Sequence, residues 1–333
     1  MSAQPKQINF PVTTKNQTAV VNIPIKLSVM EAVNFKQTFQ TLTKEDSDCP
    51  KEVIIDFHQT TFMDSSGLGA LVSNLKTAQE KNIDFKLRNV TPQVMAVLNL
   101  TGLDNVFLIE EKSSSLSKDA QTEEKLPNTH PSVKSVTKRV IDVLGAIVGL
   151  IITLILFVPI AIAITINDPG PIFFAQIRCG WMGKRFKIWK FRSMCVDAEA
   201  KKSELRNQNQ VTGAFFKIKN DPRVTKVGCF LRRTSLDELP QFWNVLKGEM
   251  SLVGTRPPTP DEVESYEVPE WQRLDVKPGM TGEWQVNGRS NIYNFEDVIN
   301  LDLQYQKNWS LFYDLKLIFK TVTILFNKNS GAA

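Results

Sequence analysis

The sequence predicts an α/β fold over residues 1–112, then a membrane-associated helix and a compact, mostly helical α+β domain. Three observations carry this. Strand-like and helix-like segments alternate from Ala19 to Ile109. A run of 24 residues, Val143–Ile166, contains no charge. The net charge of +5 is unevenly placed: 11 basic and 12 acidic residues in 1–112, 2 and 3 in 113–133, and 27 and 20 in 134–333. A chain of 333 residues is also long for a single core of roughly 100–200 residues, so two domains are expected.

In chain order, Ala19–Ile25, Val53–Phe57, Phe85–Val90 and Val106–Ile109 read as strands from their β-branched and aromatic content. Val29–Leu42, Gly67–Glu80 and Pro92–Leu98 read as helices. Alternation of this kind builds a small sheet packed by helices. Between the second strand and its helix stands Phe62-Met-Asp-Ser-Ser-Gly-Leu-Gly69. Asp and Ser at a helix start cap orphan amides. The same turn also presents a serine, Ser65, open to phosphorylation, where a phosphate would gain from the helix N-terminus and be repelled by Asp64.

Residues 113–133 hold almost no large apolar side chains and cannot bury a core, so they are expected to form a flexible tether. The membrane segment is expected at 140–167. A straight helix over Val143–Ile166 would be about 36 Å long, enough to cross a core of about 30 Å. Pro159 interrupts the run, and basic residues flank both ends: Lys134, Lys138 and Arg139 before, Arg178, Lys184 and Arg185 after. A helix that enters, breaks at Pro159 and returns keeps both flanks on the cytoplasmic side. A spanning helix satisfies the length alone, and the two readings stand side by side. Gly145 and Gly149 form a GxxxG spacing that suits helix packing. Lys184–Met194 alternates basic and aromatic residues, which suits lipid headgroups better than nucleic acid, with an amphipathic strand as the plain alternative.

Two histidines, His58 and His130, and four cysteines without a C-x-x-C pair speak against a zinc site, a disulfide framework and a Ser-His-Asp mechanism in residues 131–333. A reduced, cytosolic environment is expected, and Met1–Phe10 lacks the features of a cleaved leader. The densest chemical signal is Leu231–Gly254, LRRTSLDELPQFWNVLKGEMSLVG. Thr234 or Ser235 can cap a helix beginning near Leu236, placing Asp237 and Glu238 in its first turn. Adjacent helical residues face different ways, so the two acids must meet different partners. Arg232, Arg233 and Arg256 surround them, which describes either salt bridges or a phosphate site with a metal. Without histidine, a carboxylate is the natural nucleophile or base.

Two resemblances follow from these motifs. The strand, MDSSGLGAL and NVTPQVMAVLNLTGLDNVF resemble a STAS domain of the anti-sigma-factor-antagonist type over about residues 10–112. The resemblance implies a small regulatory or docking module, with Ser65 at the family's phosphate-acceptor position and a protein partner or kinase for it. DPGPIFFAQ from Asp168, FKIWKFRSM from Phe186, NDPRVT from Asn220, TSLDELPQFWNVLKGEMSLVG, KPGMTG and QVNGRS are similar to the bacterial sugar transferase family over about residues 134–328. This second resemblance implies a re-entrant helix with Pro159 at the membrane break. It implies transfer of a phosphosugar from a UDP-sugar to polyprenyl (undecaprenyl) phosphate, releasing UMP and requiring Mg2+, as the first step of exopolysaccharide or other surface glycan assembly.

The same resemblance implies Asp237 as the nucleophile that forms an aspartyl-phosphosugar, Glu238 as the partner acid at the Mg2+ site, and Arg232, Arg256 and Arg289 near the phosphates. Thr255 and Val158 stand where the family usually has Pro and Ser. The protein is thus expected on the cytoplasmic face of the inner membrane, in contact with lipid and without nucleic acid. A homo-oligomer is compatible with all of this. A partner-switching regulator with a non-catalytic anchor is the main rival, and it would not need the acidic pair and arginines. One membrane-length run is too few for a transporter.

Overall fold

The computed structural model describes residues 10–44, 49–110, 129–204, 218, 221–287 and 294–326. The tether expected at 113–133 lies outside the described residues as far as residue 128. The chain forms two units. The first comprises Met1–Thr129 with two short later pieces, Met182–Lys184 and Tyr266–Asp275; the second comprises His130–Trp181, Arg185–Ser265 and Val276–Ala333.

In the first unit β1 (Val12–Lys15), β2 (Thr18–Asn22) and β3 (Lys26–Leu27) precede α1 (Val29–Leu42). Then come β4 (Glu52–Asp56), β5 (Phe62–Met63), α2 (Ser65–Glu80), β6 (Asp84–Arg88), α3 (Pro92–Thr101) and β7 (Leu108–Ile109). The sheet order is β1-β2-β4-β6-β7. β1 runs antiparallel to β2 and the other neighbours are parallel. Val53, Ile55, Phe57 and Leu87 of this sheet region are buried with Phe35 and Phe39 of α1 and Leu68 and Leu71 of α2, which accounts for the apolar strand runs in the sequence.

Local chemistry sets the helix starts. Ser28 and Glu31 form a capping box on α1. Asp64 accepts from the amide of Gly67 at 2.9 Å, so α2 begins directly after it, two residues earlier than the sequence pattern indicates. Ser65 and Ser66 therefore fall inside the first turn, and both are fully buried. The piece Tyr266–Asp275 packs on this helix. A Cβ on Gly69 would lie 2.5 Å from the Trp271 ring, so glycine at 69 is what admits the indole.

The second unit starts with α4 (Pro131–Lys134) and α5 (Val136–Asn167), then the antiparallel hairpin β8 (Phe173–Cys179) and β9 (Arg185–Phe191). α6 (Ala198–Glu204), α7 (Lys226–Arg233) and α8 (Gln241–Lys247) follow. β10 (Ser251–Val253), α9 (Pro260–Glu264), β11 (Gly279–Thr281), α10 (Glu283–Asn287), α11 (Phe295–Lys307) and α12 (Leu311–Phe326) complete it. β10 and β11 form a short parallel pair.

α5 is long and apolar enough to cross a membrane. It runs through Pro159 as one helix, so the expected break does not divide it in two. A proline removes one hydrogen bond, and the turns on either side carry the helix past it. One face of α5 touches its own unit along the whole length. Lys138 reaches Val253 O at 2.9 Å and the Asp314 carboxylate at 2.5 Å. Asp142 accepts from Ser251 and from the Leu252 amide. The Thr153 hydroxyl contacts the Leu239 carbonyl at 3.3 Å, and Ile160 and Ile164 pack with Phe191 and Leu231. The spacing of three to four residues is that of a single helical stripe.

The GxxxG pair lies on this stripe. A Cβ on Gly145 would meet Leu252 at 2.6 Å, and one on Gly149 would meet the Phe242 ring at 2.3 Å. The opposite face leaves Leu144, Val148, Ile151, Leu154, Ile155 and Ile162 exposed. The basic-aromatic run is β9, whose Phe186, Ile188 and Phe191 are buried. It is thus an amphipathic strand packed inside the unit, with its apolar side chains spent on the core.

Candidate active site

The acidic pair sits on a turn whose shape the sequence does not announce. α7 ends at Arg233 and Thr234 is its C-cap, while Ser235 adopts left-handed backbone with φ 55°. That conformation costs an L-residue roughly 1–2 kcal/mol. It turns the chain into a separate 3-10 turn, Leu236–Glu238, and α8 starts only after Pro240. Ser235 makes no side-chain cap here. The expected helix beginning at Leu236 is therefore two elements, with Asp237 and Glu238 on the connecting turn.

The two acids face different partners. Asp237 is buried and lies within electrostatic reach of Arg232. Arg232 is held in turn by its Nε donating to Ser193 Oγ at 3.0 Å. Burial draws the Arg232 guanidinium below its ordinary value, opposed by the charges of Asp237 and Asp221. Asp221 is fixed by Arg223, Nε to Oδ1 at 2.9 Å and Nη2 to Oδ2 at 2.6 Å. Burial works against the Asp221 carboxylate, yet the Arg223 bonds outweigh it and hold it below the usual range.

Glu238 accepts from Lys190 of β9 at 2.8 Å and remains partly accessible. Glu238 also acts electrostatically on Arg178 of β8, where burial pulls the guanidinium down to about 10 and nearby Arg256 adds to the effect. Arg178 also donates to Pro257 O at 3.0 Å and to Gln176 Oε1 at 2.7 Å. Arg256 binds Glu262 in fork geometry, Nη1 to Oε2 at 2.9 Å and Nη2 to Oε1 at 3.2 Å. Burial opposes the Glu262 carboxylate, but Arg256 and Arg178 together hold it below the ordinary glutamate value.

The result is one acidic turn with two arginine-bearing branches. Asp237 leads to Arg232, Ser193 and Asp221; Glu238 leads to Lys190, Arg178, Arg256 and Glu262. A buried carboxylate next to a guanidinium can attack an electrophile, and clustered cations can hold phosphate oxygens. Among the described residues no three His, Cys, Asp or Glu side chains gather as a metal cluster. Glu238 alone offers a partly accessible carboxylate at this turn.

Of the residues named from sequence, Asp237, Glu238, Arg232 and Arg256 belong to this arrangement, and Arg289 lies outside the described residues. Pro159 is in α5 and Ser65 in the first unit. Arg178, Lys190, Ser193 and Glu262 were not singled out as site residues. Arg178 reads only as flanking positive charge and Lys190 only as part of the basic-aromatic run, because nothing in a linear pattern shows that β8 and β9 bring them to the acidic turn.

Residues 133–328 match the model of the bacterial sugar transferase family, and residues 9–116 match that of the STAS domain. The galactosyl transferase CpsE of Streptococcus agalactiae is 50% identical over 190 residues, covering 57% of this chain and 42% of that protein. The undecaprenyl-phosphate galactose phosphotransferase of Salmonella typhimurium is 42% identical over 198 residues, 58% of this chain and 41% of its own. The exopolysaccharide production protein ExoY of Rhizobium meliloti is 41% identical over 194 residues, 57% of this chain and 85% of its own. The chain thus spans less than half the length of the first two and most of the third. Among solved structures, an anti-sigma factor antagonist from Mycobacterium paratuberculosis aligns with 33% of the chain and 91% of its own at 23% identity and a TM-score of 0.29.

Proposed function

Because the chain belongs to the bacterial sugar transferase family, we propose that its second unit transfers a phosphosugar from a UDP-sugar to polyprenyl phosphate. UMP is the other product, and the lipid-linked sugar starts an exopolysaccharide or related surface glycan. The names of the relatives support the substrate class, since they include undecaprenyl-phosphate galactose and glucose-1-phosphate transferases. The observation that carries the chemistry is the buried Asp237 beside Arg232, one residue from Glu238 with its Lys190 and Arg178 neighbours.

In this reading the Asp237 carboxylate attacks the sugar-bearing phosphorus, and the bond from that phosphorus to the UMP oxygen breaks. The aspartyl-phosphosugar is then attacked at phosphorus by an oxygen of polyprenyl phosphate, which frees the Asp237 carboxylate. Two displacements of this kind give ping-pong kinetics. Arg232 stands beside the nucleophile, and Arg178 and Arg256 hold the diphosphate charge against Glu262. Mg2+ takes hard oxygen ligands and often completes its shell with substrate phosphates, so the single Glu238 carboxylate fits as its protein ligand. When bound there, the ion supplies neutralisation of the charge on the departing UMP.

α5 supports membrane attachment. A spanning helix would leave its own unit after one end, whereas contacts recur here from Lys138 to Asn167. The opposite apolar face is left for lipid, and α12 exposes Phe312, Leu315 and Phe319 as well. We read this as a monotopic attachment to the cytoplasmic leaflet. The STAS portion, on this reading, is a regulatory or docking module.

The test is UMP release by the purified full chain with Mg2+, a short polyprenyl phosphate and a panel of UDP-sugars. One donor is expected to give UMP, and Asp237→Asn is expected to lower that rate by at least about 10³-fold with the protein still folded. Near-full activity in Asp237→Asn would overturn the nucleophile. No release from any donor by the wild type would overturn the transfer reaction.

A further inference from the structure

The start of α2 holds a contact that a hydrogen-bond count with an ionised Asp275 does not explain. Ser65 Oγ lies 2.6 Å from the carbonyl oxygen of Trp271 and 2.6 Å from Oδ1 of Asp275. Both are the distances of O–H···O bonds. A serine hydroxyl carries one proton, while a carbonyl and a carboxylate carry none. One of the two contacts therefore needs a second proton, and the Asp275 carboxyl is the only one of the three groups able to bring it. The Ser65 amide completes the contact by donating to the same Oδ1 at 3.1 Å.

We infer that Asp275 is a neutral carboxylic acid here, donating to Ser65 Oγ while Ser65 donates to Trp271. This shared-proton clasp fastens the peptide Tyr266–Asp275 to the head of α2, and ionisation of Asp275 loosens it. The inference stands apart from the transfer reaction proposed above.

The surroundings favour the neutral form. The helix N-terminus would welcome an anion, but Asp64 already fills the cap by accepting from Gly67. Burial and then the neighbouring Asp64 push Asp275 up to about 7. Burial likewise pushes Asp64 up to about 6, with Glu31 of α1 adding repulsion. Two cations of the packed elements are engaged elsewhere, and Lys76 of α2 is exposed about three turns further along that helix. Lys36 of α1 pairs with Glu267 at 2.6 Å, and Arg273 donates to Tyr266 Oη at 2.7 Å. The Trp271 ring over Gly69 is a second anchor that does not titrate. The clasped peptide follows Glu262 by four residues and precedes β11 by four.

The sign is fixed by linkage. An acid whose closed-state value is raised binds more protons closed than open. Opening therefore grows about tenfold per pH unit from the ordinary aspartate range up to about 7 and then levels off, on the order of 10²-fold between pH 5 and pH 8. The experiment is hydrogen exchange of the amides of 65–69 and 266–275 in the full chain from pH 5 to 8, each rate divided by its intrinsic chemical rate. The expected result is that rise in the wild type and a much flatter profile in Asp275→Asn, whose side chain does not titrate. A flat wild-type profile, or an unchanged slope in Asp275→Asn, would overturn the clasp. Should Asp275→Asn fold poorly, carboxyl titration of labelled Asp275 in the wild type decides. A midpoint near 7 supports the shared proton, and an ordinary aspartate midpoint refutes it.

Discussion

Lys190 Nζ lies 2.8 Å from Glu238 Oε1, so a strand residue from the basic-aromatic run neutralises half of the acidic pair. The pair is about one-quarter exposed on each side, where such bonds are worth roughly 1 kcal/mol or less. A partner of that strength orients a carboxylate without locking it away from a cation.

Removing that partner separates orientation from charge. Lys190→Met is expected to lower turnover while reducing the Mg2+ concentration needed for half-maximal rate by up to about fivefold, since no ammonium then competes for Glu238. Magnesium titration of UMP release reads both effects. An unchanged magnesium requirement would argue that Glu238 is not the ligand.

Gly149 has no room for a side chain, because a Cβ would stand 2.3 Å from the Phe242 ring. Gly149→Leu is expected to part α5 from α8 and destabilise the second unit by about 1–3 kcal/mol. Thermal unfolding in detergent measures it, with Leu154→Ala on the exposed face as a near-neutral comparison.

Glu262 gives a pH dependence of defined sign. Its carboxylate is held below the usual 4.5 by Arg256 and Arg178 against the cost of burial. The stabilisation is present above the ordinary glutamate range and is lost as pH falls through the lowered value. Denaturant unfolding between pH 6 and 3 should show an acid loss that Glu262→Gln reduces. An identical acid limb in the variant would sink this account.

The outer face of α5 should carry membrane attachment. Leu154 and Ile155 are 75% and 69% exposed, and a charge placed deep in a bilayer costs about 2.5–3.5 kcal/mol on insertion scales. Leu154→Asp combined with Ile155→Asp is expected to shift the chain out of the membrane fraction on vesicle flotation. Continued co-flotation would place the lipid contact elsewhere, such as on α12.

Much was legible in the residues themselves. Alternation of strands and helices placed β2, β4, β6, β7 and α1 to α3 to within a few residues, because apolar period and turn chemistry are local, but it left out β1, β3 and β5. The 24-residue uncharged run marked α5, and the ordered motifs marked the acidic turn with Arg232 and Arg256. Only the tertiary structure decided that α5 continues through Pro159, that Ser235 splits the expected helix in two, and that the basic-aromatic run is a packed strand. It alone brought Lys190 and Arg178 to Glu238, and Asp275 to Ser65 across 210 positions of sequence. Local pattern reports what a residue's neighbours in the chain require. Which distant charges meet is set by how strands and helices pack, and burial there shifts an ionisable group by an amount its own sequence context does not contain.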